Sequence, residues 1–271
     1  MLSVDEDKVE AIVKHPGFHH SDFDVLGQPK LWQIMGLVVT GRIFAHHYPL
    51  DDPKRTFRDY EKLTEDRLTF LVTSELQFTK LLYDKESPKR PLMMKVQGGY
   101  IGNSSFNSYT SVHAENGELL ISNINQVVSI DMQTRRPKPL PDWWKQKYAE
   151  SAKNKPSLKI AKFEKPGNTG FYQVKVAWSD TDFNHHTTWS AYVRYVIDAA
   201  HKCQREGTLS NFDDNLKSGI SKLELQYFGE SLEGDHLDVF VWEECSNGDR
   251  VLRGDVHKDG KSSFQCTLKF F

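Results

Sequence analysis

Cysteine is scarce in this chain, with only Cys203, Cys245 and Cys266 among 271 residues. Three thiols build no disulfide framework, and no two of them have the close spacing of a metal clip, so a reducing compartment is expected. Long apolar runs are missing as well. No stretch approaches the roughly 20 apolar residues that a membrane-spanning helix needs. The opening residues, MLSVDEDKVEAIVKHPG, carry neither the apolar heart of a secretory signal nor the Arg- and Ser-rich character of a transit peptide. An excess of either charge is also absent. The net charge of -2 gives no electrostatic ground for binding nucleic acid or an anionic membrane. These absences predict a cytoplasmic protein with no membrane span and no nucleic-acid partner. What is present is ample core-forming material, since 38% of residues are hydrophobic. The length suits one large domain or two small ones.

The most structured stretch is 176–203, VAWSDTDFNHHTTWSAYVRYVIDAAHKC. An alternating strand through Val174, Val176 and Trp178 leads into it, and the chain then crosses a polar turn at 179–186. Apolar residues then recur at Trp189, Tyr192, Val193, Val196 and Ala200, the stripe of a helix packed on one face. Thr187 or Thr188 is placed to cap that helix. Asp182, Asn184 and His186 gather just before its N-terminus, where free N–H groups and the helix dipole favour negative charge.

The same frame occurs earlier in the chain. Ser21-Asp22-Phe23-Asp24 aligns with Ser179-Asp180-Thr181-Asp182, and Leu31, Ile34, Met35 and Val38 then fall on Trp189, Tyr192, Val193 and Val196. Such an internal repeat organises everything else. The second copy carries Asn184-His185-His186 where the first has Leu26-Gly27-Gln28, so the halves share a frame and not a chemistry. Residues 1–14 read as a charged, weakly helical lead-in, and 46–65 as a polar connection. Strands are predicted at 68–78, 92–100, 105–114 and 119–130, and again at 222–228, 237–244, 250–257 and 263–270. Asn116-Gly117, Asn247-Gly248 and Asp259-Gly260 mark hairpin turns. The domains expected are 1–145, a linker at 146–170 rich in lysine and containing Pro156, Pro166 and Gly167, and 171–271. Helices laid on curling antiparallel sheets follow from this order of elements.

Two motifs carry a resemblance to a family. Asp180-Thr181-Asp182-Phe183-Asn184-His185-His186 with Tyr192 resembles the D-x-D-x-N-x-H-V-N-N-x-x-Y signature of acyl-ACP thioesterases, and Tyr227-Phe228-Gly229-Glu230-Ser231 resembles their Y-x-x-E-C segment. The segment SIDMQTRRPKPLPDWW is similar to the last strand and exit of such hotdog enzymes. The departures are Thr187-Thr188-Trp189 for Val-Asn-Asn, and Ser231 for cysteine. The resemblance covers the chain from about residue 15 onward. It implies an α+β tandem (double) hotdog, each half a long helix wrapped by an antiparallel β-sheet. It also implies hydrolysis of acyl-ACP or acyl-CoA thioesters to free acids, with the second half catalytic and the first forming the acyl pocket.

On the family's pattern Asp182, Asn184, His186 and Glu230 form the catalytic site. These residue types suit the reaction: a carboxylate can activate water or attack the carbonyl, an imidazole can share the proton, and an amide can hold an oxyanion. A turn before a helix also recruits Asp and Asn simply as turn formers, which alone accounts for Asp182 and Asn184. Ile34, Met35, Val38, Trp189 and Tyr192 are expected to meet the acyl chain as well as to pack the core. No metal is expected, because in the pairs His19/His20, His46/His47 and His185/His186 adjacent side chains diverge. No other cofactor is implied. The partner is an acyl thioester on carrier protein or CoA, with the basic run 145–155 a candidate for an acidic carrier's face and homodimerisation left open. Two competing readings are a hydroxyacyl-thioester dehydratase and a non-catalytic acyl-thioester or lipid binder.

Overall fold

The computed structural model describes residues 1–52, 55–246 and 248–271. It divides into two compact units, Met1–His20 with Leu37–Lys159, and Ser21–Gly36 with Ile160–Phe271. The helix α1, Leu31–His47, runs from the second unit into the first.

The first unit holds a six-stranded antiparallel sheet. In chain order its strands are β1 (Leu2–Asp5), β2 (Glu10–His15), β3 (Arg67–Phe78), β4 (Leu92–Ile101), β5 (Ser105–Ala114) and β6 (Leu119–Asp131), arranged β1-β2-β4-β5-β6-β3. Alternation sets the faces, as in β4, where Leu92, Met94 and Val96 are buried and Met93, Lys95 and Gln97 are less so. The lead-in expected to be weakly helical is instead the β1–β2 hairpin. Its alternating Ala11 and Val13 are buried, and β2 gains its stability by pairing with β4, a partner some 80 residues away in the chain. The connection at 46–65 is not uniformly polar either, because it folds as a short helix α2 (Tyr60–Thr64) after a 3-10 turn and buries Phe57, Arg58 and Leu63.

The second unit carries β7 (Gly170–Lys175), α4 (Trp189–Arg205), α5 (Phe212–Lys217), β8 (Ile220–Tyr227), β9 (His236–Ser246), β10 (Asp249–Lys258) and β11 (Lys261–Phe270). Its strands order as β8-β11-β10-β9-β7, all antiparallel. The apolar stripe of α4 lies on β7, β9 and β10. Gly254 of β10 permits the close approach, since a Cβ there would stand 2.6 Å from a methyl of Val196. Strand β7 stops at Lys175, short of the alternation read through Trp178, which is exposed in a 3-10 turn. Of the turn Asn247-Gly248, Asn247 lies outside the described residues.

Residues 146–170 are not a loose tether. Helix α3, Asp142–Ala152, occupies the beginning and buries Trp144 and Tyr148 against Phe106, Leu63 and Leu140. The extended segment that follows is bonded to buried amides of each sheet. In the first unit Asn107 donates to the Pro156 carbonyl (3.0 Å) and Gln126 accepts from Leu158 N–H (3.0 Å). In the second Gln226 donates to the Ala161 carbonyl (2.9 Å) and Gln265 to the Phe163 carbonyl (2.8 Å). Buried strand amides that would otherwise be a penalty are thereby satisfied. The basic run is largely neutralised locally, with Lys145 on Asp142, Lys147 on Asp59 and Lys153 on Glu150. No described helix is long and apolar enough to cross a membrane.

Candidate active site

The loop ahead of α4 is built on one carboxylate. Asp182 Oδ1 accepts hydrogen bonds from the backbone N–H groups of Asn184 (2.8 Å) and His186 (3.2 Å). The Asp182 N–H donates to the His186 carbonyl (2.9 Å), and His185 N–H donates to the Asp182 carbonyl (2.9 Å). Closing so tight a ring puts His185 in the left-handed region at φ 62°. The loop is then fixed to what precedes it by Thr188 N–H on the Asp180 carbonyl (2.7 Å).

The first repeat forms the same ring. Asp24 Oδ1 accepts from Leu26 N–H (2.8 Å) and Gln28 N–H (2.9 Å), Asp24 N–H donates to the Gln28 carbonyl (2.8 Å), and Gly27 stands at φ 75°. Lys30 N–H closes onto the Asp22 carbonyl (2.8 Å), as Thr188 does onto Asp180. The two loops thus agree bond for bond in the register read from the sequence. They also separate two roles. The ring requires the aspartate, but not Asn184 or His186, since Leu26 and Gln28 serve equally well in its twin. Turn formation therefore explains Asp182 and leaves Asn184 and His186 unexplained as structure.

Glu230 reaches the loop from the segment after β8. His186 bridges Leu232, Thr187 N–H (2.8 Å) and Thr187 Oγ1 (3.0 Å) both donate to the Ser231 carbonyl, and the Tyr192 hydroxyl donates to Ser231 Oγ (2.9 Å). These bonds set His186 Nε2 3.4 Å from Glu230 Oε2, with the imidazole 22% and the carboxylate 44% exposed. The pair is close enough to share a proton and open enough to meet a substrate, and apo contacts of this kind often tighten on binding. Two of the departures from the family's pattern, Thr187 and Ser231, lie in this clasp. Thr187, in place of valine, adds a hydroxyl bond to Ser231, and Ser231, in place of cysteine, accepts one from Tyr192.

Sequence reasoning missed this clasp and the anchor beneath it. Asp180 is buried, and its carboxylate receives Arg194, the Tyr195 hydroxyl (2.6 Å) and Ala177 N–H (3.1 Å). Burial, and then that carboxylate, push the Tyr195 phenol far above its ordinary range, so it stays a donor. Recurrence of the aspartate as Asp22 was the available signal. The capping expectation is corrected: Thr188 is the N-cap residue of α4, but its hydroxyl makes no capping bond and lies 3.4 Å from Ser190 Oγ, while the Thr187 hydroxyl is spent on Ser231.

Of the residues expected to meet an acyl chain, Ile34, Met35 and Val38 are fully buried on α1. Tyr192 is buried and stacks on Phe264 with centroids 5.0 Å apart, and Trp189 is half-buried with its carbonyl accepting from Tyr227 (3.2 Å). Among the described residues no group of three or more His, Cys, Asp or Glu side chains is arranged to hold a metal ion.

No protein-family model matches the sequence, and no curated protein sequence matches it. Solved structures do. An acyl-ACP thioesterase from Bacteroides thetaiotaomicron superposes with a TM-score of 0.73 at 14% identity, covering 99% of this chain and 100% of that one. The 12:0-ACP thioesterase from Umbellularia californica gives 0.72 at 16% identity, covering 97% and 94%. A Lactobacillus plantarum protein provisionally assigned as an oleoyl thioesterase gives 0.75 at 13% identity, covering 96% and 94%. The fold is a tandem hotdog. In hotdog terms α1 and α4 are the two long helices, and the loop carrying Asn184 and His186 leads into the second of them.

Proposed function

We propose that this chain is a thioesterase that hydrolyses acyl-ACP or acyl-CoA thioesters to free acids. The observation that carries the proposal is the His186–Glu230 pair, 3.4 Å apart on a loop that has no structural need of His186, in a fold shared with acyl-ACP thioesterases. Glu230 takes a proton from a water whose oxygen bonds to the thioester carbon. Asn184 and N–H groups at the start of α4 hold the oxyanion. Collapse of the tetrahedral intermediate breaks the C–S bond, and the thiolate leaves with the proton relayed through His186. Asp182 holds the loop and takes no part in proton transfer. The buried stripe Ile34, Met35 and Val38, with Trp189 and Tyr192, borders the acyl chain. No cofactor enters, and a cytoplasmic location is proposed.

The experiment is hydrolysis over a panel of acyl-CoA and acyl-ACP substrates of graded length. Turnover of at least one thioester is expected, with a length optimum that shifts gradually in Ile34 and Met35 variants, because one methylene is worth about 1–3 kcal/mol. Tight binding of a non-hydrolysable thioether without any hydrolysis would instead make the chain a binder.

A second expectation concerns the clasp. Thr187→Val keeps the shape of the side chain but removes its bond to Ser231, and a small displacement of a catalytic group can lower rates by up to about 10²-fold. A fall in kcat of roughly tenfold with KM little changed is expected, with Thr187→Ser restoring it. Steady-state kinetics on the three proteins decide. Equal kcat in all three would leave the clasp without a role in positioning.

A further inference from the structure

Among the described residues one buried polar group of the first unit stands out. Arg58 is 3% exposed, and none of its Nε, Nη1 and Nη2 atoms has a hydrogen-bond partner among the described residues. Its guanidinium lies over the rings of Trp144 (4.7 Å to the centroid), Phe106 (5.5 Å) and Tyr148 (5.6 Å). Those faces attract a cation, but they satisfy none of its N–H groups in the plane of the fork. Burial lowers its pKa to about 10.

The surroundings are cationic too. His46 is 5% exposed, and neither its Nε2 nor the buried Nη1 of Arg42, one helical turn earlier on α1, has a hydrogen-bond partner among the described residues. Burial, then the charges of Arg58 and Arg42, hold the His46 imidazole well below its usual range. Lys155 approaches as well, donating to the Gly98 carbonyl (2.6 Å), and burial and Arg58 both lower its pKa. The nearest acids in sequence are engaged elsewhere. Asp59 accepts from Lys147 (2.6 Å) and the Tyr148 hydroxyl (2.9 Å), and Glu61 pairs with His47 (2.5 Å).

The backbone is shaped to hold this arrangement. Arg58 and Asp59 both sit in the left-handed region, at φ 59° and 49°, which for residues with side chains is strain that the surroundings must enforce. The Trp144 indole N–H donates to the Arg58 carbonyl (2.8 Å) and pins that turn. Gly98 leaves its Cβ position open 3.2 Å from the guanidinium carbon. A buried, unpaired cation is among the least favourable groups a fold can contain, and burial of an ion is tolerated when a counter-charge meets it.

We propose that this cluster is a binding site for one oxyanion, an organic carboxylate received by the fork of Arg58 with Arg42 as a second donor. A planar carboxylate matches two parallel guanidinium N–H groups. A single negative charge carrying an apolar body suits walls made of Trp144, Phe106, Tyr148 and Leu63, whereas a phosphate dianion would lose far more hydration. The site stands independently of the thioester chemistry, because none of its residues belongs to the loop or the clasp.

Thermal unfolding of the whole protein tests it, in chloride, acetate, hexanoate and phosphate at one ionic strength. Acetate and hexanoate are expected to raise Tm saturably above chloride, by on the order of 5 °C at about one hundred times Kd, with hexanoate acting at lower concentration. Arg58→Met, which fills the same space without charge, is expected to lose that increment while keeping or raising the Tm seen in chloride. Should Arg58→Met fail to fold, Arg58→Lys serves, retaining charge but not the fork and losing at least half the increment. No rise above chloride, or a rise that persists in the variant, overturns the proposal and leaves Arg58 a structural cation packed on rings. A rise with phosphate alone overturns the carboxylate assignment.

Discussion

Glu230→Gln and His186→Ala are each expected to lose about 10²–10⁴-fold in turnover, the usual effect of removing a general base or its proton partner. The geometry explains why each change should be costly alone. The carboxylate and imidazole stand 3.4 Å apart as a pair, so either variant leaves one group without the other to exchange a proton. Both side chains reach solvent, so folding should be little affected, and binding of a non-hydrolysable acyl thioether should persist. Asn184→Ala is expected to lose about 10²-fold, as for removal of one oxyanion donor. His185→Ala should change little, because His185 is exposed and its place in the loop is set by backbone bonds. The measurements are kcat/KM on the best substrate of the panel and thioether affinity by calorimetry. Full activity in Glu230→Gln would move the base to another carboxylate.

The parts of this molecule that were legible in its sequence are those that local chemistry decides. Asp259-Gly260 has both residues at positive φ, which is what a two-residue hairpin demands. At Asn116-Gly117 only Gly117 is at positive φ (88°), and the chain closes a longer turn, with Gly117 N–H on the Ala114 carbonyl (3.0 Å) and Ala114 N–H on the Glu118 carbonyl (2.9 Å). The eight predicted strands coincide with β3 to β6 and β8 to β11 to within two residues at each end, because their alternation is set by a buried face. The spacing of Asp182, Asn184 and His186 was legible because one five-residue ring holds them. Glu230 lies 44 residues beyond His186, and only the resemblance to a family linked the two.

What escaped the sequence is polar and tertiary. The hairpin β1–β2 is too short and charged to announce itself, and it exists by pairing with β4. The segment 153–165 reads as linker because it is polar, yet the buried amides Asn107, Gln126, Gln226 and Gln265 are what it binds. Arg58 lies in the stretch 46–65 that reads as a polar connection, and no periodicity signals a buried arginine. Thr187 and Ser231 read as departures from a motif until their hydrogen bonds are seen.

The repeat supplies its own control for the aspartate that holds the loop. Asp182→Ala removes the acceptor for two backbone N–H groups, opens the ring and frees His186 to leave Glu230, and misplacement on the scale of 1 Å can lower the rate about 10²-fold. Asp24→Ala opens the twin ring in the same way but displaces only Leu26 and Gln28. The two variants should therefore lose similar amounts of thermal stability while only Asp182→Ala loses turnover. Asp182→Asn separates holding from chemistry, because its amide oxygen can still accept from Asn184 and His186 N–H but cannot carry a proton. Most of the turnover should return in that variant, and its pH–rate profile should match the parent's. If Asp182→Asn is as inactive as Asp182→Ala, the carboxylate itself takes part in the reaction. If Asp24→Ala loses turnover to the same degree, loop stability rather than the placement of His186 is limiting.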